Sequence, residues 1–222
     1  ISMAAYLPAN QLEDKMAKAL PEFLRSQTSL PEEYIQSMED SGCLPGAVET
    51  NYDGWESQPW FETWLKNLSP KKQADPFQGT CERRRVPNDP SSVRESIYPH
   101  PMLPSDAEVI AASMAILRSG MHPDEIDLVM AHSQVPDRPL PQNVSLVQHK
   151  LGLKNAGAYA VDTCCSSFVS MIEVAVAMVK SGIKKNVLIV SSYIDSHVND
   201  KSTHFSVDTG DGAAAGIVSA CD

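Results

Sequence analysis

The run from Ser166 to Lys180 limits what this chain can fold into more than any other stretch. Phe168, Val169, Met171, Ile172 and the unbroken series Val174–Val179 place apolar side chains around the whole helical circumference. Such a helix has no polar face to offer water, so it is expected to lie buried on all sides. Ser181-Gly182 ends it. Short apolar runs surround it: Ile126–Ala131, Ala156–Val161, Asn186–Ser191 and Ala213–Ser219. These read as strands covered on both faces. Two further helices accompany them, one before the first run and one between the first two. In one, Ser105-Asp-Ala-Glu108 fits a capping box, with Ser105 accepting from the backbone and Glu108 reaching back, and Gly120 ends the helix after Arg118. The other runs from Pro141 to Leu151 and is closed by Gly152. Alternating strands and helices with short links imply an α/β fold: a mixed, largely parallel sheet between helical layers.

Composition removes several classes of function. With 222 residues, the chain can form one large domain or two small ones. A hydrophobic fraction of 42% and a charged fraction of 21% are those of a soluble globular protein. No stretch approaches the roughly 20 apolar residues of a membrane span, and no signal peptide opens the sequence. Five cysteines, two of them adjacent, form neither a disulfide framework nor a zinc spacing. The expected compartment is the cytoplasm. A net charge of −10 argues against nucleic acid as a partner.

The first hundred residues differ in texture. Gln11–Arg25 and Pro31–Asp40 read as short helices, with Pro31 in a first-turn position. Cys43–Pro70 reads as irregular and holds Trp55, Trp60 and Trp64 beside Phe61. These aromatics either fasten the segment to the body or form a lid, since long ordered loops often carry function. Val86–Pro104 is a proline-rich loop, and no internal repeat is visible.

Cys165 is the residue with the clearest chemical potential. It stands where the strand ending near Val161 enters the apolar helix. A thiol at a helix head meets exposed N–H groups and the positive end of the dipole, which favour the thiolate. The thiolate is the nucleophile. The competing account is a buried, inert cysteine.

Three segments, taken in order, resemble one family. Ala158-Tyr-Ala-Val-Asp-Thr-Cys-Cys-Ser-Ser-Phe168 resembles the nucleophile motif of the ketoacyl synthase III branch of the thiolase superfamily, an Ala-Cys-x-Gly-Phe run after a core strand. Thr209-Gly-Asp-Gly-Ala-Ala-Ala-Gly-Ile-Val218 resembles the family's Gly-Asp-Gly-Ala turn and strand. Gly79-Thr-Cys-Glu-Arg-Arg-Arg-Val86 is similar to its Gly-Ile-x-x-Arg segment, and Ile1–Pro8 to its first strand.

The resemblance implies a thiolase-like α-β-α half with a sheet of the five-stranded type. It implies an acyltransferase in which Cys165 takes an acyl group from a coenzyme A or acyl-carrier-protein thioester. The usual acceptor is a decarboxylating malonyl thioester, in fatty-acid-like or polyketide and secondary metabolism. The backbone N–H of Cys165 would serve the oxyanion. Phe168 and Gly212 would line the substrate site. Leu140, before Pro141, falls on a dimer-crossing phenylalanine and would floor the partner's acyl pocket, with more room. No resident cofactor is implied, and no metal. A homodimer or heterodimer of thiolase-fold subunits is expected.

Several positions depart from the family pattern. A tryptophan and an arginine that grip coenzyme A align near Gln73 and Phe77, which favours a carrier-protein donor. Arg83, Arg84 and Arg85 are either a solvated charge run at the start of a helix or loop, or a contact for the carrier's phosphates. Ser167 replaces the motif glycine. Cys164 falls on the motif alanine and is read as core. Asp211 is read as a turn-stabilising side chain between glycines that let backbone pack closely.

The family's catalytic histidine and asparagine belong to its second half. The chain is therefore expected to be an N-terminal half over 1–222, with an insertion at about 12–78 and the C-terminal half not present in this sequence. Histidines 100, 122, 132, 149, 197 and 204 match no family catalytic position. His132, placed beyond a strand end, and His204, near the Gly-Asp-Gly turn, are read as structural or solvated. Two alternatives stay open: a non-catalytic subunit of the same fold, and acyl transfer without carbon–carbon bond formation.

Overall fold

The computed structural model describes residues 2–50, 55–74, 82–85, 102–196, 198 and 209–220. In chain order the elements begin with β1 (Ser2–Tyr6), α1 (Asp14–Gln27), α2 (Glu32–Ser41), β2 (Ala47–Thr50), α3 (Phe61–Asn67), α4 (Pro70–Ala74) and β3 (Glu82–Arg85). They continue with α5 (Pro104–Ser119), β4 (Leu128–Ser133), α6 (Asn143–Lys150), β5 (Gly157–Ala160), α7 (Ser167–Lys180), β6 (Asn186–Tyr193) and β7 (Gly212–Ser219).

One mixed sheet of five strands, in the order β1-β7-β6-β4-β5, carries the architecture. The β6–β4 and β4–β5 pairings are parallel, and β1–β7 and β7–β6 are antiparallel. The expectation of a largely parallel sheet is corrected to an even split. The reason lies in the connections. Parallel neighbours need a crossover, and α6 and α7 supply two, whereas among the described residues no helix joins β6 to β7. A second, two-stranded sheet pairs β2 with β3.

Side chains alternate across the large sheet as a period of two requires. Val129, Ala131, Leu188, Val190, Ala215 and Ile217 pack with α5 in one core. Leu128, Met130, Val187, Ile189 and Val218 point the other way, against Met171 and Ala175 of α7. Helices on both faces give the expected three layers.

The helix enclosed on all sides is α5, which is buried from Pro104 to Ile116. Ala107, Ala111, Ala112 and Ala115 keep its surface narrow enough for neighbours to approach on every side. Gly120 ends it with φ +72°, the left-handed turn that glycine adopts without strain. Its start corrects the sequence reading. Pro104 occupies the first turn, where its missing N–H costs nothing. The Leu103 N–H donates to the Asp106 carboxylate at 3.1 Å. Ser105 and Glu108 are therefore interior residues rather than caps.

The expectation for α7 fails in the complementary way. Only Ser167, Met171 and Ala175 are buried; Val169 is 61% exposed and Val174 37%. The helix packs on β4, β6 and β7, so the sheet covers one flank and leaves the other to solvent.

The N-terminal segment shares the α5 core. Met16, Leu20 and Leu24 of α1 are buried in it with Tyr34, Ile35 and Met38 of α2. Arg25 binds α1 to α2, donating to Glu32 at 2.8 Å and to both Glu39 oxygens at 2.7 and 2.6 Å. Pro31 precedes α2 as its cap rather than lying in its first turn. Cys43–Pro70, read as irregular, contains β2, a 3₁₀ turn at Trp55–Ser57 and α3. Trp60, Phe61 and Trp64 pack ring against ring, with centroids 5.8–6.2 Å apart, and α3 has no buried residue. Arg83–Arg85 lie on strand β3 rather than on a helix or loop. Val86–Pro101, Phe77, His100, His197 and His204 lie outside the described residues.

Candidate active site

Between the end of β5 at Ala160 and the start of α7 at Ser167, the chain makes a 3₁₀ turn at Cys164–Ser166. Side-chain hydroxyls brace it. The Ser167 hydroxyl is buried, accepts from the Thr163 N–H at 2.9 Å and donates to the Cys164 carbonyl at 2.7 Å. The Ser166 hydroxyl donates to the Thr163 carbonyl at 2.8 Å, and the Thr163 and Ser170 hydroxyls lie 3.0 Å apart. On the β5 side, the Cys164 N–H donates to the Asp162 carboxylate at 2.9 Å. The motif position that lost its glycine thus gained a clamp across the turn.

Cys164 has φ +52°, a conformation uncommon outside glycine. Cys164 and Cys165 are both exposed free thiols, and both line one cleft of about 910 Å³. The reading of Cys164 as core is corrected: the left-handed residue turns the chain so that consecutive side chains open into the same space.

Phe168 and Gly212 line this cleft too, with Ala5, Leu7, Ser192 and Tyr193. Gly212 sits close to β1. A Cβ there would stand 3.3 Å from the Leu7 side chain and 3.6 Å from the Tyr6 carbonyl. Asp211, buried beside it, accepts from the Asp195 and Ser196 N–H groups, each at 3.1 Å. This is the turn-stabilising role expected for it. Leu140 is not part of the cleft. It is 78% exposed on the segment between β4 and α6.

His132 lies inside β4, not beyond its end, and is buried at the cleft wall. Its Nδ1 is 3.6 Å from the Asp162 carboxylate, the same group that holds the Cys164 N–H. His132 also lines a smaller cavity of about 200 Å³, with Ser133, Asn143 and Asp162 among others.

Behind the cleft, sequence reasoning missed a buried polar network. Glu108 is fully buried and accepts from Ser192 at 2.5 Å, from Asn143 at 3.2 Å, and from the Ser133 hydroxyl. Burial pushes its carboxyl up to about 7, against the opposing pull of these hydrogen bonds. The network continues through Asn143 to Asp137, which takes both the N–H and the hydroxyl of Ser105 at 2.9 and 2.5 Å. Lys150 closes it, donating to Ser105 and to Asp106 at 2.6 Å each. The available signal was a glutamate in an alanine- and isoleucine-rich helix, where a buried charge requires partners. Among the described residues, no group of His, Cys, Asp and Glu could hold a metal ion.

The model of the 3-oxoacyl-[acyl-carrier-protein (ACP)] synthase III family matches residues 159–222, the segment that contains Cys165, Phe168 and Gly212. The β-ketoacyl-[acyl-carrier-protein] synthase III of Sulfurovum sp. (strain NBC37-1) is 40% identical over 122 residues, which is 53% of this chain and 35% of that protein. Its counterpart from Sulfurimonas denitrificans is 37% identical over 120 residues, 53% of this chain and 36% of that protein. Over that region, the chain is similar to ketoacyl synthase III proteins. The chain spans about a third of the length of these curated relatives.

Among solved structures, 3-oxoacyl-[acyl-carrier-protein] synthase III from Aquifex aeolicus VF5 superposes with a TM-score of 0.62 at 23% identity, covering 100% of this chain and 53% of that one. The priming β-ketosynthase from the R1128 polyketide biosynthetic pathway gives 0.58 at 19%, covering 100% and 49%. At such identities the likeness concerns the fold alone, and it is the thiolase-like α/β fold expected from the sequence.

Proposed function

We propose that the chain is the N-terminal half of an acyl-transferring condensing enzyme and that Cys165 is its acyl carrier. The observation that supports this most is position. Cys165 is exposed at the head of α7, on a turn fixed by hydrogen bonds, and opens into a cleft large enough for an acyl chain. Its thiolate would attack the carbonyl of an incoming thioester. The carrier thiol leaves and the acyl group stays on Sγ. The Cys165 N–H, at the first turn, is the local donor for the tetrahedral oxyanion. Phe168 and Gly212 shape the wall beside the acyl group. The second substrate would then take the acyl group, as in a decarboxylative condensation with a malonyl thioester, in fatty-acid-like or polyketide metabolism.

The donor fits a carrier protein better than coenzyme A, since an exposed Gln73 on α4 stands at one of the two positions where the family grips coenzyme A. Leu140, exposed on its loop, is free to reach a second thiolase-fold subunit and floor that subunit's pocket, in a homodimer or heterodimer. The segment at about 12–78 is an insertion relative to the family, and the cytoplasm is the proposed location. Among the described residues, no helix is long and apolar enough to cross a membrane.

The test is peptide mass spectrometry after exposing the native protein to acyl-coenzyme A and acyl-carrier thioesters. An acyl adduct on the Cys165 peptide, absent from Cys165→Ala, is the expected result. A folded protein that takes no adduct from any donor would overturn the nucleophile assignment and leave a supporting subunit.

A further inference from the structure

Adjacent cysteines in an extended chain point to opposite sides. Here they do not. Cys164 takes φ +52°, and its thiol and that of Cys165 are exposed in the same cleft. Cys164 has no use in the acyl-transfer scheme above, which needs one sulfur. Nothing packs on it as core, since it is exposed.

We propose that Cys164 and Cys165 form a vicinal dithiol that hydroperoxides close reversibly, with Cys164 as the resolving thiol. This rests on Cys165 being the more nucleophilic sulfur, as the proposed function requires. The Cys165 thiolate attacks the terminal oxygen of the hydroperoxide. The O–O bond breaks, an alcohol or water leaves, and Cys165 becomes a sulfenic acid. Cys164 then attacks that sulfur, an S–S bond forms, and hydroxide departs with the thiol proton as water. For hydrogen peroxide, two thiols and one peroxide give one disulfide and two waters.

Two geometric facts set the character of such a bond. Cα atoms of neighbouring residues are about 3.8 Å apart across a trans peptide, closer than the roughly 4.4 Å lower limit of ordinary disulfides. The ring is therefore strained and easily reduced, as labile regulatory disulfides are. The turn must also change shape to close it. Asp162 to Ser166 are exposed, and turning the Cys164–Cys165 peptide to close the ring gives up the Ser167 hydrogen bond to the Cys164 carbonyl, which water can replace. A resolving thiol next to an accessible thiolate halts oxidation at the disulfide instead of at sulfinic acid, which thiols cannot reverse. The bond would occupy the nucleophile and stop acyl loading until a thiol reductant restored it.

The experiment treats the intact protein with graded hydrogen peroxide, blocks remaining thiols with iodoacetamide, and reads the Cys164–Cys165 peptide by mass. Expected is a peptide lighter by two hydrogens and free of label, which regains two labels after dithiothreitol. In Cys164→Ser, the same dose adds two oxygens to Cys165, and dithiothreitol recovers no label there. A second measurement needs no variant: phenylarsine oxide, which bridges paired thiols, should protect both cysteines together from iodoacetamide, and dimercaptopropanol should release them. Sulfinic acid appearing on wild-type Cys165 as readily as in Cys164→Ser would overturn the proposal, as would independent labelling of the two thiols in the presence of the arsenical. An unreactive pair would overturn it equally. None of these readings uses an acyl donor, so failed acylation and a failed dithiol are separate results.

Discussion

Ser167 shows how one hydroxyl can replace a missing backbone freedom. It accepts from Thr163 and donates to the Cys164 carbonyl, so it spans the residues that aim both thiols. Ser167→Ala should lower unfolding free energy by about 1–2 kcal/mol, the usual worth of lost buried hydrogen bonds. It should also slow iodoacetamide labelling of Cys165 by loosening the turn; unchanged stability and labelling would show the clamp to be incidental. Asp211 offers a paired test. Asp211→Ala removes the acceptor for two backbone N–H groups and should cost about 1–3 kcal/mol. Asp211→Asn keeps an oxygen in place and should lose much less, with chemical denaturation as the measurement for both. A general-base role would instead make the two variants equally inactive in acyl transfer.

At the scale of elements, Gly120 isolates the backbone contribution. Its φ is +72° and a Cβ there would meet nothing within 4 Å. Gly120→Ala should therefore destabilise by about 1 kcal/mol through conformation alone, read as a shift in the urea midpoint. Sequence periodicity located the helices and strands from residue 105 onward to within a few residues, because apolar runs and glycine stops are local signals. It did not reveal which of two apolar helices is enclosed. That depends on which layers stand on the sheet: α5 lies between the sheet and α1 and α6, while among the described residues α7 packs mainly on the sheet. The site was legible in the same uneven way. Cys165, Phe168 and Gly212 meet in one cleft because a strand–turn–helix motif and a glycine turn have fixed local geometry. Cys164 was misjudged because a positive φ at a non-glycine residue leaves no mark in composition. The Glu108 network joins residues 25 to 84 positions apart, a distance that local pattern cannot reach.

Across the whole molecule, that network sets a pH dependence. Glu108 is raised from 4.5 to about 7 in the folded chain, first by burial. A folded state that holds its proton more tightly than the unfolded state gains stability at low pH. The contribution is complete below about 4.5 and lost as pH rises through about 7, on the order of 3 kcal/mol for a shift of this size. Urea midpoints should fall between about pH 5 and pH 8 for the native chain and stay flatter for Glu108→Gln. Equal slopes would remove Glu108 as the cause. The bare flank of α7 has a different global consequence. Burying a valine fully is worth roughly 1.5–3 kcal/mol, and Val169 and Val174 forgo much of that while exposed. Any molecule that binds the folded chain and covers them shifts the folding equilibrium by mass action. The melting temperature of this chain measured alone is accordingly a floor, and every assembly that shields that flank should melt above it.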